Sequence, residues 1–313
     1  MNTDSLVKNT LSIICFPFTL ANMLINQKRK VKEIGELIEV NSRKIHTIVS
    51  GNNDSKPTVI LDAGLSCCSI DWYYVQPEIS KFARVLSFDR AGYGWSSRSK
   101  GTHTSEEAVN DLIRILDKLA INPPYILVGH SFGGLNMRLF ASKHPEKVAA
   151  ILLIDAVHEN RYLSKEWDDV RKKSHQKNLN LFRLGYITSG VGLPRLIKQP
   201  VGRKYLPGPF QKPAAYIGYH PNAFEAVYKE FLHSEQSALQ VANSKPLYPD
   251  LPIRILSSNN SDPTWIEHQE LLCNLSNNTR QIKTDNGHSI HLENPELVIN
   301  TIQALCEEVE LTI

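Results

Sequence analysis

The chain has 313 residues, of which 42% are hydrophobic, 21% charged and 8% aromatic. These are globular proportions, which exclude collagen-like, disordered and disulfide-scaffold classes, and the length allows one large core with a sizeable insertion. A formal net charge of +3, with no long basic run, argues against a nucleic-acid partner.

Residues 1–35 form an apolar and basic segment. Leu11–Ile25 is mostly apolar, but it is shorter than the roughly 18–20 residues of a membrane span and is interrupted by Pro17 and Asn22. Lys28, Arg29, Lys30 and Lys32 follow the apolar run, whereas a secretory signal carries its charges ahead of it. Two readings stay open. Either residues 6–25 insert into a membrane and the positive charges hold the catalytic domain in the cytoplasm, or they form an apolar helix lying on the domain or on a membrane surface. Secretion is not expected. Cys15, Cys67, Cys68, Cys273 and Cys306 are odd in number and lack metal-ligand spacing, so reduced thiols in an intracellular protein are expected.

From residue 36 the chain reads as strands, then as strands alternating with helices. Glu36–Val40 and Lys44–Ser50 suggest a hairpin around Asn41-Ser42. Strands are expected at Thr58–Asp62, Arg84–Asp89, Tyr125–Gly129, Ala149–Ile154, Ile253–Leu256 and Arg280–Lys283, with helices at Ser105–Leu119, Phe132–Lys143 and Pro295–Glu310. Apolar strand runs separated by helices imply a mostly parallel sheet covered on both faces. Residues 157–250 break the rhythm: no strand pattern, a Gly/Pro-rich middle, and many aromatics, among them Trp167, Phe182, Tyr219 and Phe231. A structureless loop of that length is implausible in a compact domain. The expected organisation is therefore a core of residues 36–156 and 251–313, with a helical lid at 157–250.

The chemistry centres on Gly129-His130-Ser131-Phe132-Gly133-Gly134. A serine hydroxyl is a poor nucleophile until a base takes its proton. A sharp strand-to-helix turn lifts the hydroxyl clear of the backbone, and glycines two before and two after it avoid collisions within the turn. The tripartite context is the one required: an apolar strand before the motif and a helical stretch after it.

With that motif, the sequence resembles the α/β-hydrolase superfamily from about Glu36 to the C-terminus. Leu61-Asp62-Ala63-Gly64-Leu65 stands where that family has its oxyanion loop, Asp89-Arg90-Ala91-Gly92-Tyr93-Gly94-Trp95-Ser96 is similar to its segment after the next strand, and Gly287-His288 is similar to its catalytic-histidine turn. The resemblance implies an eight-stranded, mostly parallel sheet with helices on both faces and the lid inserted after the sixth strand. It implies Ser131 as nucleophile, His288 as general base, and the backbone N–H groups of Leu65 and Phe132 as oxyanion donors. The acid that orients His288 is left open between Asp155, at the end of the strand before the lid, and Asp262, after the strand that follows it. Asp89 is expected to form a structural ion pair or turn with Arg90. His291 is expected to be a hydrogen-bonding residue at the start of the last helix, and His130 is expected to be structural, with lining the pocket as the alternative.

A serine at position 131 excludes the haloalkane dehalogenases and epoxide hydrolases of this fold, which attack with aspartate. Hydrolysis of a carboxylic ester with an apolar moiety is the expected reaction. Acyl transfer by the same residues, or ligand binding without catalysis, are the alternatives. No cofactor or metal is expected, since His288-x-x-His291 with Glu293 lacks the further ligands of a zinc site. A small ester or acyl substrate is the expected partner.

Overall fold

A computed structural model describes residues 3–52, 57–199, 206–260 and 262–311. The chain begins with two helices, α1 (Thr3–Ile14) and α2 (Phe16–Lys28), separated at Cys15 by a 97° bend. The apolar run at Leu11–Ile25 is thus broken two residues before its proline.

The hairpin β1 (Glu36–Val40) and β2 (Arg43–Ser50) turns at Asn41 and Ser42, whose φ of 50° and 59° matches the twist of the two strands. β3 (Thr58–Asp62), α3 (Gln76–Ile79), β4 (Val85–Phe88), α4 (Ser105–Lys118), β5 (Tyr125–His130), α5 (Gly133–Lys143) and β6 (Val148–Ile154) follow. Between β6 and the next strand the described residues form helices and no strand: α6 (Asp169–Ser189), α7 (Leu193–Leu196), α8 (Gly208–Gly218), α9 (Pro221–Leu232) and α10 (Ser234–Ala242), with short 3₁₀ turns ahead of α6. β7 (Ile253–Ser257), α11 (Pro263–Leu272), β8 (Thr279–Lys283), α12 (Ile290–Glu293) and α13 (Pro295–Glu310) complete the chain.

The strands form one eight-stranded sheet in the order β1-β2-β4-β3-β5-β6-β7-β8, parallel from β4 onward and antiparallel at β1–β2 and β2–β4. Strands β3 to β7 are mostly apolar and almost wholly buried because both faces are covered. Alternate side chains divide between two cores: Ile60, Leu127 and Ile151 pack against Leu112 and Ile115 of α4 and Leu139 of α5. Val59, Val128 and Leu152 pack on the other face against Trp72 and against Ile302 and Leu305 of α13. Full burial of each such side chain stabilises the fold by about 1.5–3 kcal/mol. The two cores fix the sheet, and therefore the relative positions of the loops at its carboxyl edge.

Candidate active site

Ser131 follows β5 directly and adopts φ 51°, a left-handed conformation that a side chain rarely takes. Its neighbours hold it there: Ser131 N donates to Ile154 O at 3.1 Å, and Val157 N donates to Ser131 O at 3.0 Å. The glycines have steric reasons. A Cβ at 129 would lie 2.7 Å from the backbone of Gly133 and Gly134, one at 133 would lie 2.4 Å from Asp62 O, and one at 134 would strike Ala156 Cβ at 2.5 Å.

His288 lies on the loop after β8. Its Nε2 is 3.0 Å from Ser131 Oγ, and its Nδ1 is 2.5 Å from Asp155 Oδ2. An ionised carboxylate only accepts, so Nδ1 carries the ring proton and Nε2 is left to accept from the serine hydroxyl. Asp155 directly follows β6 with φ 40° and is fully buried. Its other oxygen accepts from Ser258 N at 2.9 Å and from Trp265 Nε1 at 3.1 Å. The His288 ring is 46% exposed, so the chain of three groups runs from the interior to a solvent-accessible end. Asp262 is occupied elsewhere: it caps α11 by accepting from Thr264 N at 3.0 Å and lies 3.4 Å from Arg161. The structure brings Asp155, and not Asp262, to His288.

The His288 turn is held by Glu293, whose Oε2 accepts from Gly287 N at 2.8 Å; a Cβ at 287 would meet the same carboxylate at 2.8 Å. His130 Nε2 donates to His288 O at 3.0 Å. His291 lies in α12, ahead of the last helix, buried with its ring 4.3 Å from that of His130 and 4.8 Å from that of Trp72. Glu293 therefore serves a turn, and among the described residues no group of three or more His, Cys, Asp or Glu side chains is placed to hold a metal.

The Asp62–Leu65 turn runs against the nucleophile because β3 pairs with β5 in the register Asp62↔Gly129. A Cβ on Gly64 would be 3.0 Å from Ser131 Cβ. Phe132 is the N-cap residue of α5, so its backbone N–H belongs to the positive end of a helix.

One ionic cluster was invisible to sequence reasoning. Arg90 reaches Asp62 at 2.6 Å, Ala63 O at 2.5 Å, Gly64 O at 3.0 Å and Glu230 of α9 at 2.8 Å. Tyr93 OH donates to Glu230 at 2.7 Å, and Asn136 donates to Asp62 at 2.7 Å. All five side chains are buried. Burial raises the pKa of Asp62 and of Glu230 despite the shared guanidinium. The two carboxylates in turn hold Arg90 charged against its own burial. The only sequence signal was a carboxylate at the end of an apolar run and another inside an aromatic-rich helix.

The expected Asp89–Arg90 pair is corrected by the same geometry. Asp89 pairs with His46, Oδ2 to Nδ1 at 2.8 Å, and also accepts from Ser69 N and Trp95 N. Burial opposes both charges, but each lowers the cost of the other: His46 is raised and Asp89 lowered. Arg90 turns the opposite way, because Asp62 and the two turn carbonyls lie on its side.

Residues 57–193 match a sequence family described as the alpha/beta hydrolase fold. That match and the order of the strands together identify the α/β-hydrolase fold. The uncharacterized protein YbdG of Bacillus subtilis (strain 168) is 24% identical over 172 residues, covering 54% of this chain and 53% of YbdG. A 2-hydroxy-6-oxo-2,4-heptadienoate hydrolase of Pseudomonas putida is 33% identical over 131 residues, 40% of this chain and 45% of that protein. The matched regions thus span about half the length of these two relatives. The structure of a putative epoxide hydrolase from Pseudomonas aeruginosa superposes with a TM-score of 0.71 over 88% of this chain and 95% of that one, at 15% identity. At such identity the likeness shows the α/β-hydrolase fold, in agreement with the eight-stranded sheet.

Proposed function

We propose that the protein is a serine hydrolase acting on carboxylic esters through an acyl-enzyme on Ser131. The observation that carries this reading is the unbroken hydrogen-bonded chain from Ser131 Oγ through His288 to Asp155. In this mechanism Ser131 attacks the acyl carbonyl while His288 Nε2 takes its proton. The negative charge that develops on the carbonyl oxygen is held by the N–H groups of Phe132 and Leu65. His288 then returns the proton to the leaving alkoxide, and water, deprotonated in its turn by His288, releases the acid and restores Ser131. Asp155 orients the ring and stabilises the imidazolium. Asp155 is preferred to Asp262 as the acid, because Asp262 is committed to capping α11.

The helices between β6 and β7 support the further reading of a lid over an apolar substrate, since α9 is linked through Glu230 and Arg90 to the carbonyls of the turn that carries Leu65. Rapid mixing with nitrophenyl esters of increasing acyl length tests both points. A burst of nitrophenolate equal to the enzyme concentration, with kcat/KM rising from acetate to longer chains, is expected. No burst and no turnover would contradict the acyl-enzyme; turnover indifferent to chain length would contradict the apolar site.

A further inference from the structure

Helices α1 and α2 reverse the usual order of burial. The residues of these two helices that are buried are polar, Asp4 and Asn22. Ile13, Ile14, Phe16, Phe18, Met23 and Leu24 are instead between 56% and 74% exposed. A helix that packs its polar side inward and its apolar side outward is built for surroundings less polar than water.

The polar residues tie the two helices to the segment between β6 and β7. Asp4 accepts from Arg183 at 2.6 Å and from Tyr228 OH at 2.5 Å, Asn22 donates to Ser189 O at 3.0 Å and Gly190 O at 3.1 Å, and Arg195 donates to Asn26. Next to these attachment points stand more exposed apolar side chains: Leu184 follows Arg183 at 56% exposure, and Leu196 and Ile197 follow Arg195 at 73% and 64%. Charge surrounds the surface. Lys28, Arg29, Lys30 and Lys32 are exposed where α2 ends, and Lys198 is exposed just after α7.

Length decides how such a surface meets lipid. Helices of 12 and 13 residues extend about 18–20 Å, against a hydrocarbon core of about 30 Å. Among the described residues no single helix is long and apolar enough to cross a membrane, and the bend of 97° prevents the pair from acting as one rod. Short helices with an exposed apolar side lie in the interface, that side among the acyl chains and cations at the headgroups.

We propose that the outward face of α1 and α2, together with Leu184, Leu196 and Ile197, docks on an anionic phospholipid bilayer. Docking sets α6, α7 and α9 at the lipid. In a step that rests on the serine-hydrolase reading, the substrate is then an ester whose acyl chain resides in the bilayer.

Co-sedimentation of the full chain with vesicles of phosphatidylcholine and phosphatidylserine, or of phosphatidylcholine alone, tests the docking. The native protein is expected to pellet with the mixed vesicles and far less with the neutral ones. Lys28→Gln with Lys30→Gln should weaken binding about 25-fold, at about fivefold per charge. Ile13→Glu with Phe18→Glu, and separately Leu184→Glu with Ile197→Glu, should each weaken it about tenfold or more. Labelling of these variants by a fluorophosphonate without vesicles should equal that of the native protein, showing that the site is folded. Native protein that stays in the supernatant with anionic vesicles overturns the proposal, as does binding that the apolar pairs leave unchanged. Sedimentation equilibrium showing a native dimer dissolved by Ile13→Glu with Phe18→Glu, without vesicle binding, would give the face to a second copy instead. Binding is read without substrate, so failure of the hydrolase reading would leave the docking result standing.

Discussion

At residue scale, two strained backbones carry the site. Ser131 and Asp155 both have positive φ, a conformation that costs of order 1–3 kcal/mol where a side chain is present and persists only when the surroundings fix it. For Ser131 the surroundings are β6 and the elbow glycines; for Asp155 they are Leu256 O, which accepts from its backbone N at 2.7 Å, and the donors Ser258 and Trp265. Asp155→Asn is therefore expected to lower kcat on a nitrophenyl ester roughly 10⁴-fold, since an amide no longer enforces the productive ring tautomer. Asp262→Asn should leave kcat close to native, because that side chain only caps α11. Steady-state kinetics of the two variants decides, and the reverse order would assign the acid to Asp262. Ser131 and His288 were legible because glycine spacing is a local signal. The carboxylate beside His288 was not: its contact with His288 joins positions 133 residues apart and depends on how the ends of β6 and β8 face each other.

At the scale of elements, α9 is joined to the sheet edge by charge. Glu230 and Arg90 are 140 residues apart and meet in a buried site where Arg90 also binds the carbonyls of Ala63 and Gly64. Breaking a buried pair strands the remaining charge and typically costs about 3–5 kcal/mol. Glu230→Ala is expected to destabilise the protein by about that amount in urea unfolding. It should also lower kcat more than it raises KM, because the turn bearing Leu65 loses its support. The exposed pair Lys143–Glu106 provides the contrast, since Lys143→Ala should cost less than about 1 kcal/mol. Equal effects of the two substitutions would refute the supporting role. The absence of a strand pattern makes residues 157–250 readable as helical, but it does not report which distant cation a carboxylate on one of those helices will meet.

At the scale of the whole molecule, the sheet gathers at one edge what the chain disperses: the Asp62–Leu65 turn after β3, Ser131 after β5, Asp155 after β6 and His288 after β8. This is where an open α/β sheet places its ligands. The strands were readable nearly to the residue because burial on both faces leaves continuous apolar runs, as in Thr58–Asp62 and Val148–Ile154. The N-terminal segment was readable as apolar, but the inward turn of Asp4 and Asn22 depends on distant partners such as Arg183 and Ser189 of α6 and Tyr228 of α9. The proposed activity depends on a serine activated by its neighbours, and covalent labelling by a fluorophosphonate measures that activation most directly. Native protein is expected to label at Ser131, with labelling abolished in Ser131→Ala and in His288→Ala. Folded native protein that does not label, or labelling that survives Ser131→Ala, would contradict an activated Ser131.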